Sequence, residues 1–179
     1  MDAADHWRID LPDPGRPTSI PCELHSAYER GPFKTCTGCS RDLADGCLYQ
    51  IQKVVRGKET VFEMAICQGC GMRLYEEFSE ESLEALKSFF LENFKPSPEC
   101  SNCHFCGFPR PLAKTYTIVG ICQKALLIMP PLVLCDRCSE SLQARISKKT
   151  RDVQDNFIRS TFPGVPADLD VLTSLGGLM

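Results

Sequence analysis

No run of about 18 apolar residues, the length a membrane-crossing helix needs, occurs anywhere in the chain, so no membrane span is expected. Histidine occurs only at His6, His25 and His104. No Ser/His/Asp set, H-E-x-x-H helix or phosphate-cradling glycine loop appears. The chain therefore reads as non-catalytic. Charge of one sign is also lacking: the net is −3, with residues 1–95 at −5 and residues 96–179 at +2. A protein whose main task is gripping phosphates carries a strongly basic lobe, and neither half does. The opening segment, MDAADHWRIDLPDPGRP, lacks a basic stretch followed by an apolar run, so no secretory signal is expected. On that reading the thiols sit in a reducing compartment, cytoplasmic or nuclear.

What the chain does have is cysteine, twelve in 179 residues. Such a count fits disulfides, metal ligands or reactive thiols. Their spacing decides between these. CTGC at 36–39 is followed by CQGC at 67–70, and CHFC at 103–106 is followed by CDRC at 135–138. Two intervening residues let both thiolates of a pair reach one ion from a tight turn. Two pairs then give the four thiolates that tetrahedral Zn²⁺ prefers. In a reducing compartment this pattern reads as metal binding rather than disulfide. A Cys₄ shell is closed, leaving no position for water or substrate, so the ion is a staple whose binding energy becomes folding energy. A unit of about 65 residues, where an apolar core alone is marginal, needs such a staple.

The duplication extends past the cysteines. Counted from the last cysteine of each half, Leu74 aligns with Leu142, Phe78 with Ile146, Ser79 with Ser147, Phe89 with Phe157 and Phe90 with Ile158. Matching core positions and a matching helix cap mark an internal repeat. Five segments follow: a proline-rich arm over 1–33, a zinc module over 34–95, a linker over 96–100, a second zinc module over 101–162 and a tail over 163–179. The arm contains Pro12, Pro14, Pro17, Pro21 and Pro32 and reads as extended, with Trp7, Ile9 and Leu11 as candidate anchors.

Within the first module, CLYQIQKVV and TVFEMAI flank the turn RGKE, predicting a hairpin that delivers the chain to Cys67. A short helix follows, then a second helix capped by Ser79, with acidic residues suiting its positive end and Leu83, Leu86, Phe90 and Phe94 as its stripe. In the second module, KTYTIVGIC and LLIMPPLVLC form the strands. Pro130 and Pro131 force the latter to break or lie at an edge. From Cys138 on, Leu142, Ile146, Val153 and Phe157 keep helical spacing up to FPG at 162–164. Leu169, Val171, Leu172 and Leu175 are candidates for a short docking helix in the tail.

A cysteine knuckle, a hairpin, and a second cysteine pair at a helix start resemble the treble-clef zinc finger, over residues 34–94 and 101–160. The resemblance implies small α+β, metal-stapled modules in tandem. Its implied ligands are Cys36, Cys39, Cys67 and Cys70 for one Zn²⁺, and Cys103, Cys106, Cys135 and Cys138 for another. The second module also resembles the zinc-binding domain of Clp-type ATPases, through Cys103, Cys106, Gly107, Cys135, Asp136 and Cys138. The chain lacks that family's ATPase and Walker motif and has a longer hairpin, so what carries over is the idea of a zinc module that docks proteins. GATA-type fingers share the layout, with shorter spacing and more basic flanks.

Four cysteines remain. Cys47 and Cys122 are expected to fill core gaps, Cys100 to yield to the aligned pair, and Cys22 with His25 to lack a second pair. His104, inside a knuckle, is expected to be exposed beside the metal. The reading that follows is an interaction or adaptor scaffold with a protein partner, its two modules packed together or its chain a homodimer. Two alternatives compete: a nucleic-acid-binding transcriptional regulator using the helices and the basic face 145–159, and a thiol redox sensor.

Overall fold

The computed structural model describes residues 15–166 and residue 169. Its centre is a pair of nine-residue strands, β2 (Leu48–Arg56) and β4 (Thr115–Gln123), rich in β-branched and aromatic residues. They pair antiparallel along their whole length, from Leu48 opposite Gln123 to Arg56 opposite Thr115. On the outer side of β2 lies β3 (Glu59–Cys67), reached through a turn with Gly57 at φ 62°, the left-handed conformation that glycine adopts without strain. On the outer side of β4 lie two short strands, β5 (Leu126–Leu127) and β6 (Leu132–Cys135), separated at Pro130 and Pro131. The strand is broken at the predicted place, because a proline has no N–H for the ladder. The last strand, β1 (Thr18–Ser19), pairs with β5. The result, among the described residues, is a small α+β fold with one six-stranded antiparallel sheet and four helices.

The register carries the repeat into three dimensions. The 67-position offset that sets Cys36 on Cys103 also sets Gln52 on Val119, and these two are direct cross-strand partners. The duplicated halves therefore meet about a pseudo-two-fold axis through that pair. The hairpin of each half becomes half of a shared sheet.

Paired residues share a face of the sheet. On one face, Tyr49, Ile51 and Lys53 lie beside Cys122, Gly120 and Ile118. Residues 15–33 cross it, and of this segment Ile20, Leu24 and Ser26 are buried. Leu24 occupies the space over Gly120, where an added Cβ would come within 2.6 Å of its Cδ1. The segment is pinned at Glu63, whose carboxylate accepts from Ser26 Oγ at 2.7 Å and from the backbone N–H of Ala27 at 2.8 Å and of Tyr28 at 3.3 Å. Lys53 Nζ lies 3.4 Å away and donates to the His25 carbonyl at 2.5 Å. Burial alone would raise the Glu63 pKa, but these donors and the lysine charge outweigh it and hold the carboxyl below its ordinary value. The described part of the arm is thus a covering layer rather than a free extension. Trp7, Ile9 and Leu11 lie outside the described residues.

The other face, with Val54, Val119, Leu132 and Leu134, is covered by α1 (Gln68–Glu76), α2 (Glu80–Asn93), α3 (Asp136–Gln143) and α4 (Lys148–Thr161). Leu74, Phe78, Leu86, Phe89 and Phe90 from the first half pack in one cluster with Leu142 and Ile146 from the second. The continuous helix predicted through Leu142 and Phe157 is instead two helices. Ser147, in extended conformation at ψ 159°, caps α4 and interrupts the run, as Ser79 does before α2. In the tail Leu169 is half-buried against the core, while Val171, Leu172 and Leu175 lie outside the described residues.

The two caps interlock. In an ordinary capping box the third helical residue reaches back to the N–H of its own cap. Here Ser147 N–H donates to Ser82 Oγ at 2.8 Å, and Ser79 N–H donates to Thr150 Oγ1 at 3.0 Å. Each helix supplies the hydroxyl that satisfies the other's cap, and the two cap hydroxyls meet at 2.8 Å on the pseudo-axis. Ser82 and Thr150 are fully buried. Replacing Ser82 or Ser147 with alanine should cost about 1–2 kcal/mol each, through a lost cap or an orphaned N–H. In a double-mutant cycle read by urea unfolding, the two losses should be coupled by at least about 0.5 kcal/mol. Additive losses would show that the caps act separately.

Candidate metal centres

Each cysteine knuckle is a tight turn closed by the same bonds. Cys36 N–H donates to the Arg41 carbonyl at 2.8 Å and Ser40 N–H to the Cys36 carbonyl at 2.8 Å. In the second half, Cys103 N–H donates to Phe108 at 2.8 Å and Gly107 N–H to Cys103 at 2.9 Å. The residue after the second cysteine is left-handed in both, Ser40 at φ 61° and Gly107 at φ 76°. Glycine takes that conformation freely, while serine is held there against its preference by the surrounding bonds.

The knuckles dock on the last strand of each hairpin. Thr37 N–H donates to the Ala65 carbonyl at 2.8 Å, and Ala65 N–H returns a bond to Thr37 Oγ1 at 3.1 Å. His104 repeats this with a different side chain. Its N–H donates to the Val133 carbonyl, and its Nδ1 accepts from Val133 N–H, both at 2.9 Å. With Nδ1 accepting, Nε2 carries the proton and donates to the Ser97 carbonyl at 3.0 Å. The expectation that His104 is exposed is therefore corrected: it is 4% exposed and ties residue 97 and the second knuckle to β6.

Docking brings the knuckle thiols to the second pair of each half. Cys67 ends β3 and caps α1, whose first turn holds Cys70, and Cys135 and Cys138 do the same for β6 and α3. In each cluster all four sulfurs lie within 4.8 Å of one another. Cys39 Sγ is 3.7 Å from Cys67 Sγ, and Cys106 Sγ is 3.6 Å from Cys135 Sγ. A tetrahedron of sulfurs about 2.3 Å from a zinc ion has edges of about 3.8 Å, whereas a disulfide is about 2.05 Å. The geometry fits metal ligation, and no described cysteine is in a disulfide. Both clusters can hold a metal ion. All eight ligand residues named from the sequence are brought together, four and four.

The surroundings favour one anionic sulfur in each cluster. Cys67 N–H points at Cys36 Sγ at 3.3 Å, and Cys135 N–H at Cys103 Sγ at 3.4 Å. The Cys138 thiol, more than any other group, holds Cys103 down to about 4. The same bond, together with burial, pushes Cys138 far up. The Arg41 N–H lowers Cys39 to about 7, while burial pushes Cys70 up. One thiolate per cluster is thus readily held, and a dication is what allows all four to ionise.

Sequence reasoning missed two polar contacts here. One is the shared docking role of Thr37 and His104. The other is Arg73, which donates to Cys70 Sγ at 3.0 Å. The remaining cysteines join neither cluster. Cys122 is fully buried in the core, Cys47 half-buried, Cys22 exposed, and Cys100 Sγ contacts the Pro131 carbonyl at 3.6 Å. His25 offers its carbonyl to Lys53, and His6 lies outside the described residues. Among the described residues, no helix is long and apolar enough to cross a membrane. Comparison with models of protein families, with curated proteins and with solved structures finds no match.

Elemental analysis of purified protein should find two metal ions per chain, one for each cluster. Cys36→Ser should remove one and forfeit a large part of the roughly 10 kcal/mol that a structural zinc ion contributes to a small domain. Cys100→Ser should leave the metal content unchanged. Loss of metal with Cys100→Ser would mean the ligand sets are wrongly drawn.

Proposed function

We propose that the chain is a non-catalytic zinc protein in which two treble-clef-like Cys₄ modules, fused through one sheet, serve as a protein-docking scaffold. The observation that carries the reading is the pair of four-thiol clusters at corresponding positions of one duplicated fold. A zinc ion held by four thiolates has no open coordination position, so its contribution is rigidity rather than chemistry. The likeness of the second module to the zinc-binding domain of Clp-type ATPases points the same way, toward adaptor and substrate docking. Apolar side chains stand out on the helical surface as candidate contacts, Met72 at 52% exposure on α1 and Leu91 at 63% on α2.

The nucleic-acid reading draws less support. Of the basic face, Arg145 pairs with Glu92 at 3.3 Å and lies over the Phe89 ring, and Lys148 pairs with Asp152 at 2.6 Å. These charges are partly neutralised within the chain.

The test is photo-crosslinking of the zinc-loaded protein in cell extract, with probes at positions 72 and 91, alongside gel-shift assays at low salt. Expected are protein adducts that vanish when zinc is chelated, and no shift with duplex DNA or RNA. A salt-sensitive shift abolished by neutralising Lys148, Lys149 and Arg151 would replace this reading with the nucleic-acid one.

A further inference from the structure

The two clusters are close copies, which makes a difference in the charge beside them informative. Their sulfur edges, N–H···S bonds and knuckle docking agree to within 0.1–0.2 Å. At the first centre a cation lies on a sulfur, the Arg73 guanidinium at 3.0 Å from Cys70 Sγ. Three residues after the last cysteine of the second centre stands Ser141 instead. The arginine nearest in sequence there, Arg137, lies over the Phe108 ring with its Cζ 3.9 Å from the centroid. Among the described residues, no side-chain cation donates to a sulfur of the second centre.

Four thiolates around a dication carry a net charge of −2. A guanidinium bonded to one of them lowers the local charge to −1 and draws on the sulfur lone pair that would otherwise attack an electrophile. Access is similar at the two, with Cys39 and Cys106 both exposed.

Resting on the zinc-staple reading above, we propose that the second centre, through Cys106 and Cys138, is the modification site at which soft alkylating electrophiles first attack the metal-loaded protein. The thiolate sulfur supplies the electron pair for a new S–C bond. The carbon's bond to its leaving group breaks, and that group departs with the bonding pair. The thioether formed is a poor zinc ligand, so the ion is released without any oxidation or reduction. The first centre, shielded by Arg73, keeps its ion longer. The duplicated protein then has one durable centre and one that responds to reactive electrophiles.

The experiment treats protein carrying two zinc ions with limiting iodoacetamide, where iodide is the leaving group. It locates the labelled cysteines by peptide mass spectrometry and follows zinc release with a coloured chelator. Cys106 and Cys138 should be labelled about tenfold faster than Cys39 and Cys70, in line with the effect of losing an outer-shell partner. Arg73→Gln, a change on an exposed helix position, should raise labelling of the first centre to the rate of the second. Equal labelling of the two centres in the fully loaded wild type, or no response to Arg73→Gln, would overturn the proposal. Fewer than two ions before any reagent is added would instead overturn the zinc-staple reading itself.

Discussion

The antiparallel ladder between β2 and β4 is the contact on which the rest of the structure depends. Each half contributes one hairpin, too small to bury both faces of a sheet. Joined through their first strands, the hairpins make a surface wide enough for four helices on one side and the N-terminal segment on the other. The apolar stripes of the helices then close on each other across the pseudo-axis, with Phe89 and Phe90 in the same cluster as Leu142 and Ile146. The interlocked caps follow from the same symmetry. Two helices that start side by side on a two-fold axis can each satisfy the other's orphan N–H.

The metal centres stand at the outer ends of this arrangement. Each knuckle docks on the outer strand of its hairpin, at Ala65 or Val133, and each cluster joins that strand to the helix that follows it. The ladder therefore organises the middle of the molecule, and the two four-thiol clusters join strand to helix at its two ends.

The two four-cysteine clusters were legible in the sequence because their signal is local: two residues between cysteines, repeated at a constant offset. The first hairpin and the Ser79 cap were legible for the same reason. The break before Ser147 was legible through the matching cap alone, because Leu142, Ile146, Val153 and Phe157 keep helical spacing across it. The aligned serine at Ser79 was the available clue. His104 was misplaced because a histidine between two ligands looks exposed until the docking strand is in view. The Arg73 contact could have been read from its three-residue spacing to Cys70 on a helix. The pairing of β2 with β4 was beyond reach, since it joins residues far apart in sequence through backbone groups that every residue carries.

Native-state amide hydrogen exchange tests most directly whether the halves form one unit. The slowest amides of β2 and β4 should share one opening free energy, and Cys106→Ser, which disables only the second centre, should lower both by the same amount. Full protection retained in β2 and β3, while β4 and β6 exchange freely, would contradict it and show two modules that stand independently.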